Sequence, residues 1–526
     1  MRKVAIYILW LAAAFATACN KDKDLVAQLE SQKAEAESVV KEMPDAAFPV
    51  TSDFSVQFDK EYLWVDAAGS VSLHYTLSEA GTVEVTADGG WSATVNKSGE
   101  TGGEIVVNAP DPASPAVLAV KATDGSGNVA ETFIRVMVRN PYGEVKSPGI
   151  EVMAYNGFTD ALSTAENFRK LAEAGVTMLS VEGEDDVYGP GWRNQCRLAE
   201  EYGIKVVLFL GWTWQRYVVD PEHFTGLDDL IKETLDYPAI CAYQIIDEPD
   251  TYIVPSLAMA KDKINQLAPG RPVYINLHPS SVSPAGMGAT TYEEYVEYFA
   301  LKCNLEFITF DQYPVFIWGV EDCWYRSLNV VSDTAKRHGI PFWAFIQSCR
   351  EWYRVDPSLE TLRLQGNINM AYGAQCNQYF VWRATSGTNY APIMSDGEYK
   401  QVYYDCMEYD RELHNREFVF ANCDVRKVRH IGYNYYLHGA GFSNADLPEA
   451  ISDLEVDDCA LVSFIGNSGN EYVVVCNKAY DRKLNAEMTF TREVYTIDRE
   501  GEFTLQEPGT RGFTIDEGDM LVIKWQ

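Results

Sequence analysis

The chain has 526 residues, 47% of them apolar and 13% aromatic, which is enough for several buried cores and excludes a disordered chain. Its formal net charge of −33, with no Lys/Arg-rich run to offset it, excludes nucleic acid and anionic lipid surfaces as partners, because a phosphate-bearing surface would repel it. An uncharged ligand class fits this balance better.

Arg2 and Lys3 precede an apolar run from Val4 to Phe15, and Ala16-Thr17-Ala18-Cys19 follows with small residues before a cysteine. That order reads as a signal peptide over residues 1–18. The segment around Cys19 resembles a bacterial lipoprotein box, which implies lipidation at Cys19 and membrane association through that lipid alone, at the outer membrane. Loss of Arg2 and Lys3 would move the net charge from −33 to −35. Residues 19–47, rich in Ala, Glu and Lys, read as a tether.

Residues 48–142 carry short alternating runs such as Val71-Ser-Leu-His-Tyr75 and Thr82-Val-Glu-Val-Thr86 with turn residues between them, which predicts an immunoglobulin-like β-sandwich. Gly125-Ser-Gly127-Asn-Val-Ala130 matches a dinucleotide fingerprint by letters, but it lies between two strands and reads as a hairpin turn.

From 149 to 409 the rhythm changes. Apolar strands are expected at 151–155, 178–182, 206–210, 240–246, 273–277, 307–310, 342–346 and 378–382, recurring every 27 to 36 residues with helical patterns between them. Eight such alternations predict a (β/α)₈ barrel. Residues 418–526 return to strands and predict a C-terminal β-sandwich. Ten cysteines follow Cys19 without a C-x-x-C or a nearby histidine pair, so they read as small core residues; neither a zinc site nor any other cofactor is expected.

Barrel enzymes work at the carboxyl ends of their strands. Strand two would deliver Glu182, Glu184 and Asp185 there, and strand three Trp212 and Trp214. Strand four delivers Asp247 and Glu248, strand five Asn276 and His278, and strand six Asp311 and Tyr313. Strand seven delivers Gln347, and strand eight Trp382 and Arg383. Aromatic rings stack on the apolar faces of sugars while acids and amides bond hydroxyls, so these strand ends predict a carbohydrate cleft in which Glu182, Trp212, Asn276, His278, Tyr313, Gln347, Trp382 and Arg383 bind substrate.

With Asp247-Glu248-Pro249 ending strand four, the chain resembles a (β/α)₈ glycoside hydrolase. The resemblance implies that Glu248 is the general acid/base. In the large retaining clan a glutamate ending strand seven is the nucleophile, whereas this chain has Gln347, which cannot form a glycosyl ester. Three routes follow. Asp311 or Glu182 serves as nucleophile or base; or the substrate's own 2-acetamido group attacks, as in barrel hexosaminidases that the Asp247-Glu248 pair also resembles, with Tyr313 steadying the amide; or the protein binds glycan without cleaving it. The bland reading of Asp247-Glu248 is a cap for the next helix, and of Trp318, Trp352 and Trp382 packing, although Trp382 is expected to be a sugar platform.

Overall fold

The computed structural model describes residues 54–59, 62–65, 68–87, 89–110, 116–138, 149–182, 191–384, 390–395, 397–432 and 441–525. The expected signal peptide, Cys19 and the tether lie outside them, as do Glu184 and Asp185.

Alternation of apolar and polar residues builds two facing four-stranded sheets near the N-terminus. One orders Val56–Phe58, Ser70–Leu77, Gly102–Asn108 and Ser92–Lys97; the other orders Tyr62–Val65, Val129–Val138, Ala116–Asp124 and Gly81–Thr86. Their inward residues, among them Leu73, Ile105, Leu118 and Val136, make a core of their own. The glycine-rich stretch at 125–130 is a hairpin turn: Asp124 accepts from the backbone of Ser126 and Asn128, and Gly127 takes φ +87°.

Eight parallel strands then close a barrel: β1 (Glu151–Ala154), β2 (Met178–Glu182), β3 (Lys205–Phe209), β4 (Ile240–Asp247), β5 (Val273–Leu277), β6 (Ile308–Phe310), β7 (Phe342–Gln347) and β8 (Cys376–Phe380). Every expected strand is present, β8 starting two residues earlier than expected. The surrounding helices obey local signals. Ala165–Glu173 is capped by the Thr164 side chain and followed by Gly175 at φ +87°, and Asp322–His338 stops at the left-handed Gly339.

The C-terminal part pairs a six-stranded sheet with a three-stranded one. Its strands Ala460–Asn467 and Asn470–Asn477 are buried on both faces, which is why they read as almost unbroken apolar runs. Val462, Val473 and Val475 point into the sandwich, while Leu461, Ile465, Tyr472 and Val474 join the core that surrounds the barrel. Ser463 Oγ ties the contact by donating to the Ala371 carbonyl at 2.6 Å. The ten described cysteines are all free thiols, six of them buried.

Candidate active site

The floor of the barrel mouth is built from inward residues of β5, β6 and β8. Tyr274 donates its hydroxyl to Gln378 Oε1 at 2.7 Å, Gln378 Nε2 donates to Thr309 Oγ1 at 2.8 Å, and Thr309 donates to Asn276 Oδ1 at 3.2 Å. A hydroxyl proton pointed at Asn276 Oδ1 turns the amide nitrogen the other way, toward the acids. Asn276 is 2% exposed, and its Nδ2 reaches Asp247 Oδ1 and Asp311 Oδ1, both at 2.9 Å. One amide therefore bridges the acids ending β4 and beginning the loop after β6.

Two N–H bonds at the amide's planar angle place the two acceptor oxygens about 5 Å apart. Two full charges at that separation repel by about 3 kcal/mol at an effective dielectric of 20. Asp247 is exposed at the mouth, yet desolvation by the neighbouring protein first, and the Glu248 charge second, push its carboxyl up to about 6. Asp311 is held well above the ordinary carboxylate range by burial, then by the Glu248 and Asp247 charges, against the hydrogen bonds from Asn276 and Tyr313. Of the pair, Asp311 is the acid more strongly held toward its protonated form.

Glu248 is different in kind. Its side chain is 41% exposed, and its backbone takes φ +46°, a left-handed conformation unusual for a glutamate and held by its N–H donating to the Asn276 carbonyl at 2.9 Å. His278 Nδ1 stands 3.5 Å from Glu248 Oε1 without a hydrogen bond. The Tyr295 hydroxyl fixes both neighbours, donating to the Pro249 carbonyl at 2.6 Å and accepting from the His278 N–H at 3.2 Å. Helix capping does not explain the acid pair: Asp250 caps the short turn Thr251–Ile253, and the helix proper starts at Val254.

Tyr313 lies beside the pair, its ring stacked on Phe380 at 4.8 Å. Trp212 is half-buried at the end of β3, just before the helix Thr213–Val219. Glu182 ends β2 as expected, with its side chain outside the described residues. Asp247, Glu248, Asn276, His278, Asp311 and Tyr313 therefore converge.

Two expectations need correction. Trp382 is fully buried between Tyr379 and Tyr403 and presents no face to a sugar, because the strand end turns it into the shell outside the barrel. Gln347 is 2% exposed, its amide consumed by backbone: Oε1 accepts from the Val315 N–H at 3.3 Å, while Nε2 donates to the carbonyls of Val315 at 3.4 Å and Val355 at 3.3 Å. Arg383 is half-buried, and its Nε donates to the Gly157 carbonyl in the loop after β1 at 3.0 Å. What strand-end reading missed is the support beneath the acids, Thr309 and Gln378, which carries no motif, and a group of exposed aromatics at Trp318, Trp352 and Tyr353. Glu351, the next acid after Gln347, pairs with Arg354 at 3.8 Å. Among the described residues no cluster of His, Cys, Asp and Glu has the geometry to hold a metal.

No family model and no curated protein matches the chain. Solved structures with a similar course include a β-galactosidase from the haloarchaeon Halorubrum lacusprofundi, at 12% identity, TM-score 0.38, covering 50% of this chain and 58% of that one. A xyloglucanase from Bacteroides ovatus aligns at 8% identity and TM-score 0.32 over 68% of this chain and 100% of that one. An endo-α-mannosidase from Bacteroides thetaiotaomicron aligns at 14% identity and TM-score 0.33 over 47% and 78%. The chain spans little more than half of the β-galactosidase. Superpositions this loose assign no chemistry, so the functional reading rests on the acids themselves.

Proposed function

We propose that the protein is a glycoside hydrolase that cleaves O-glycosidic bonds of an extracellular oligo- or polysaccharide, with Glu248 as general acid/base, and that Cys19 carries the lipid that holds it at the outer membrane. The observation that carries the hydrolase reading is the division of labour among three acids at one barrel mouth. Glu248 stands exposed where a leaving-group oxygen can meet it, beside two acids that share one amide.

Glu248 donates its proton to the glycosidic oxygen as the C–O bond breaks, and afterwards takes a proton from the incoming water. Asp247, ionised above pH 6, is the carboxylate left to oppose the positive charge that develops at the anomeric carbon. Asp311, which burial holds toward its protonated form, and the Tyr313 hydroxyl lie beside it. That set favours an attacking group supplied by a 2-acetamido sugar, with Asp247 orienting the acetamide; direct attack by Asp247 is the competing route.

Kinetics with aryl glycosides, with and without a 2-acetamido group, test this. Glu248→Gln retaining wild-type turnover would sink the hydrolase reading. Inhibition by a thiazoline mimic of the cyclised sugar supports substrate assistance, while trapping by a 2-fluoro glycoside moves the attack to a carboxylate. The alternative is a barrel that binds glycan without cleaving it, and binding with no new reducing ends would favour it.

A further inference from the structure

Four large apolar side chains stand in solvent beside the barrel mouth: Ile317 is 66% exposed, Trp318 62%, Trp352 76% and Tyr353 65%. They come from two loops. The loop after β6 folds into a hairpin of Val315–Phe316 and Gly319–Val320, and the loop after β7 lies alongside it, with Phe316 bridged to Arg354 and the Ile317 N–H donating to the Tyr353 carbonyl at 3.0 Å. Trp352 adopts φ +51°, a left-handed backbone that is strained for a bulky residue. Exposing so much aromatic surface while straining the backbone opposes solubility, and such a combination marks a ligand surface.

The rings are arranged as a stack with one open side. Phe316 lies against Trp318 at 4.8 Å and 17°, so one indole face is backed by phenyl and the other is left for a ligand; Tyr353 leans in at 5.9 Å and 42°. This surface is continuous with the acids. The Arg354 guanidinium sits 5.1 Å from the Phe316 ring and 5.3 Å from the Tyr313 ring, and its Nε donates to the Tyr313 carbonyl at 3.1 Å, so one side chain spans platform and floor.

We propose that Trp318, Trp352 and Tyr353 form a binding platform for an uncharged polysaccharide chain running out of the acidic cup, and that Gln347 is the clamp that registers the two loops carrying it. The proposal rests on the hydrolase reading for the direction of the chain. Stacking on aromatic faces uses the C–H faces of pyranose rings and needs no charge. Both cations beside the platform face acids, Arg350 with Asp356 at 3.3 Å and Arg354 with Glu351 at 3.8 Å, and the chain as a whole carries −33, so an acidic polymer finds no attraction here.

Gln347 suits the clamp chemically. Holding the Val315 N–H needs an acceptor, and holding the Val315 and Val355 carbonyls needs a donor; an amide has both, and an ionised carboxylate would have only the first. The position where the resembling clan keeps a nucleophile has become a fastener.

The test uses the full chain carrying Glu248→Gln, so that bound glycan survives, in affinity gels containing glycol chitin, xyloglucan, galactomannan or polygalacturonate. Expected is retardation by at least one of the three uncharged polymers, weakened at least tenfold by Trp318→Ala with Tyr353→Ala and restored by Trp318→Phe with Tyr353→Phe. In parallel, with Glu248 intact, the alanine pair should raise KM for the retained polysaccharide more than tenfold relative to its effect on an aryl monoglycoside. No retardation by any uncharged polymer, retardation by polygalacturonate alone, or retardation indifferent to the alanine pair overturns the platform. Retardation that depends on these rings, with no cleavage by the protein carrying Glu248, leaves the platform standing and removes the hydrolase.

Discussion

The ends of β4 and β7 face each other across the same mouth and have been put to opposite uses. At β4 the chain leaves its strand in a left-handed turn that raises an exposed glutamate over solvent, with its neighbour Asp247 hydrogen-bonded from below by one amide. At β7 the chain ends in a side chain 2% exposed, with both faces of its amide spent on loop backbone. Both are polar side chains at the ends of buried strands; what separates them is whether protein or solvent satisfies them. A polar group whose hydrogen bonds are all met by backbone is architecture, and an acid with too few partners is available for chemistry.

Substitutions at and around these ends should behave accordingly. Glu248→Gln removes the proton donor without changing shape and should lower kcat by about 10²–10⁴-fold with little change in glycan affinity, measured by steady-state kinetics and affinity gels. Trp382→Ala, at the end of β8 beside the β7 clamp, should act on stability alone, costing about 3–5 kcal/mol in denaturant unfolding because a fully buried indole is deleted; a selective loss of glycan binding would instead return Trp382 to the cleft.

Gln347→Glu should not act as a nucleophile. It should cost about 1–3 kcal/mol, because the ionised side chain faces two carbonyls. A buried acid with one N–H donor and two carbonyls against it has a raised folded-state pKa, so this penalty should be smallest at low pH and grow as pH rises, which thermal melts at pH 4.5 and 8 would show. A gain in activity, or trapping of a covalent adduct on the new glutamate, would break the contrast between the strand ends.

Asn276→Leu should leave Glu248 in place but remove the amide that favours the ionised forms of Asp247 and Asp311. The acid limb of kcat/KM, expected near pH 6 from Asp247, should move to higher pH by roughly one unit, in keeping with a loss of about 1.4 kcal/mol of differential stabilisation. An unmoved limb would show that Asp247 need not be ionised.

A quieter contrast lies between Asp247 and Asp410. Asp410 is fully buried behind β8, accepts from the Tyr379 hydroxyl at 2.6 Å, and is pushed up to about 7 by burial, with His414 opposing. A carboxyl raised in the folded state stabilises most below its unfolded value near 3.8 and loses that contribution as pH rises through about 7. Asp410→Asn should therefore leave stability little changed at pH 4.5 and raise the melting temperature at pH 8.

Much of this was legible in the linear chain, because it follows from local rules. Eight apolar runs separated by amphipathic helices with Gly175 and Gly203 as stops specify strand–helix alternation, and the alternation count specifies the barrel. The Asp247-Glu248 pair was conspicuous because buried strands rarely end in two acids. Trp382 and Gln347 were misplaced for one reason: strand-end position says that a side chain starts near the mouth, but not whether its next bond turns inward, into the helical shell or back to a neighbouring loop. Thr309 and Gln378 carried no signal, since each matters only through which partner its proton meets.

The sequence by itself determined the periodicity, the order of the parts and the acid pair that ends β4, because these depend on hydrophobic patterning and on residues adjacent along the chain. Only the tertiary structure decided how Asp247 and Asp311, 64 positions apart, come to share one amide, and how Gln347 holds loops that begin at Val315 and end at Val355. Charge sharing and hydrogen-bond satisfaction depend on distances through space, which barrel closure sets and the chain order does not.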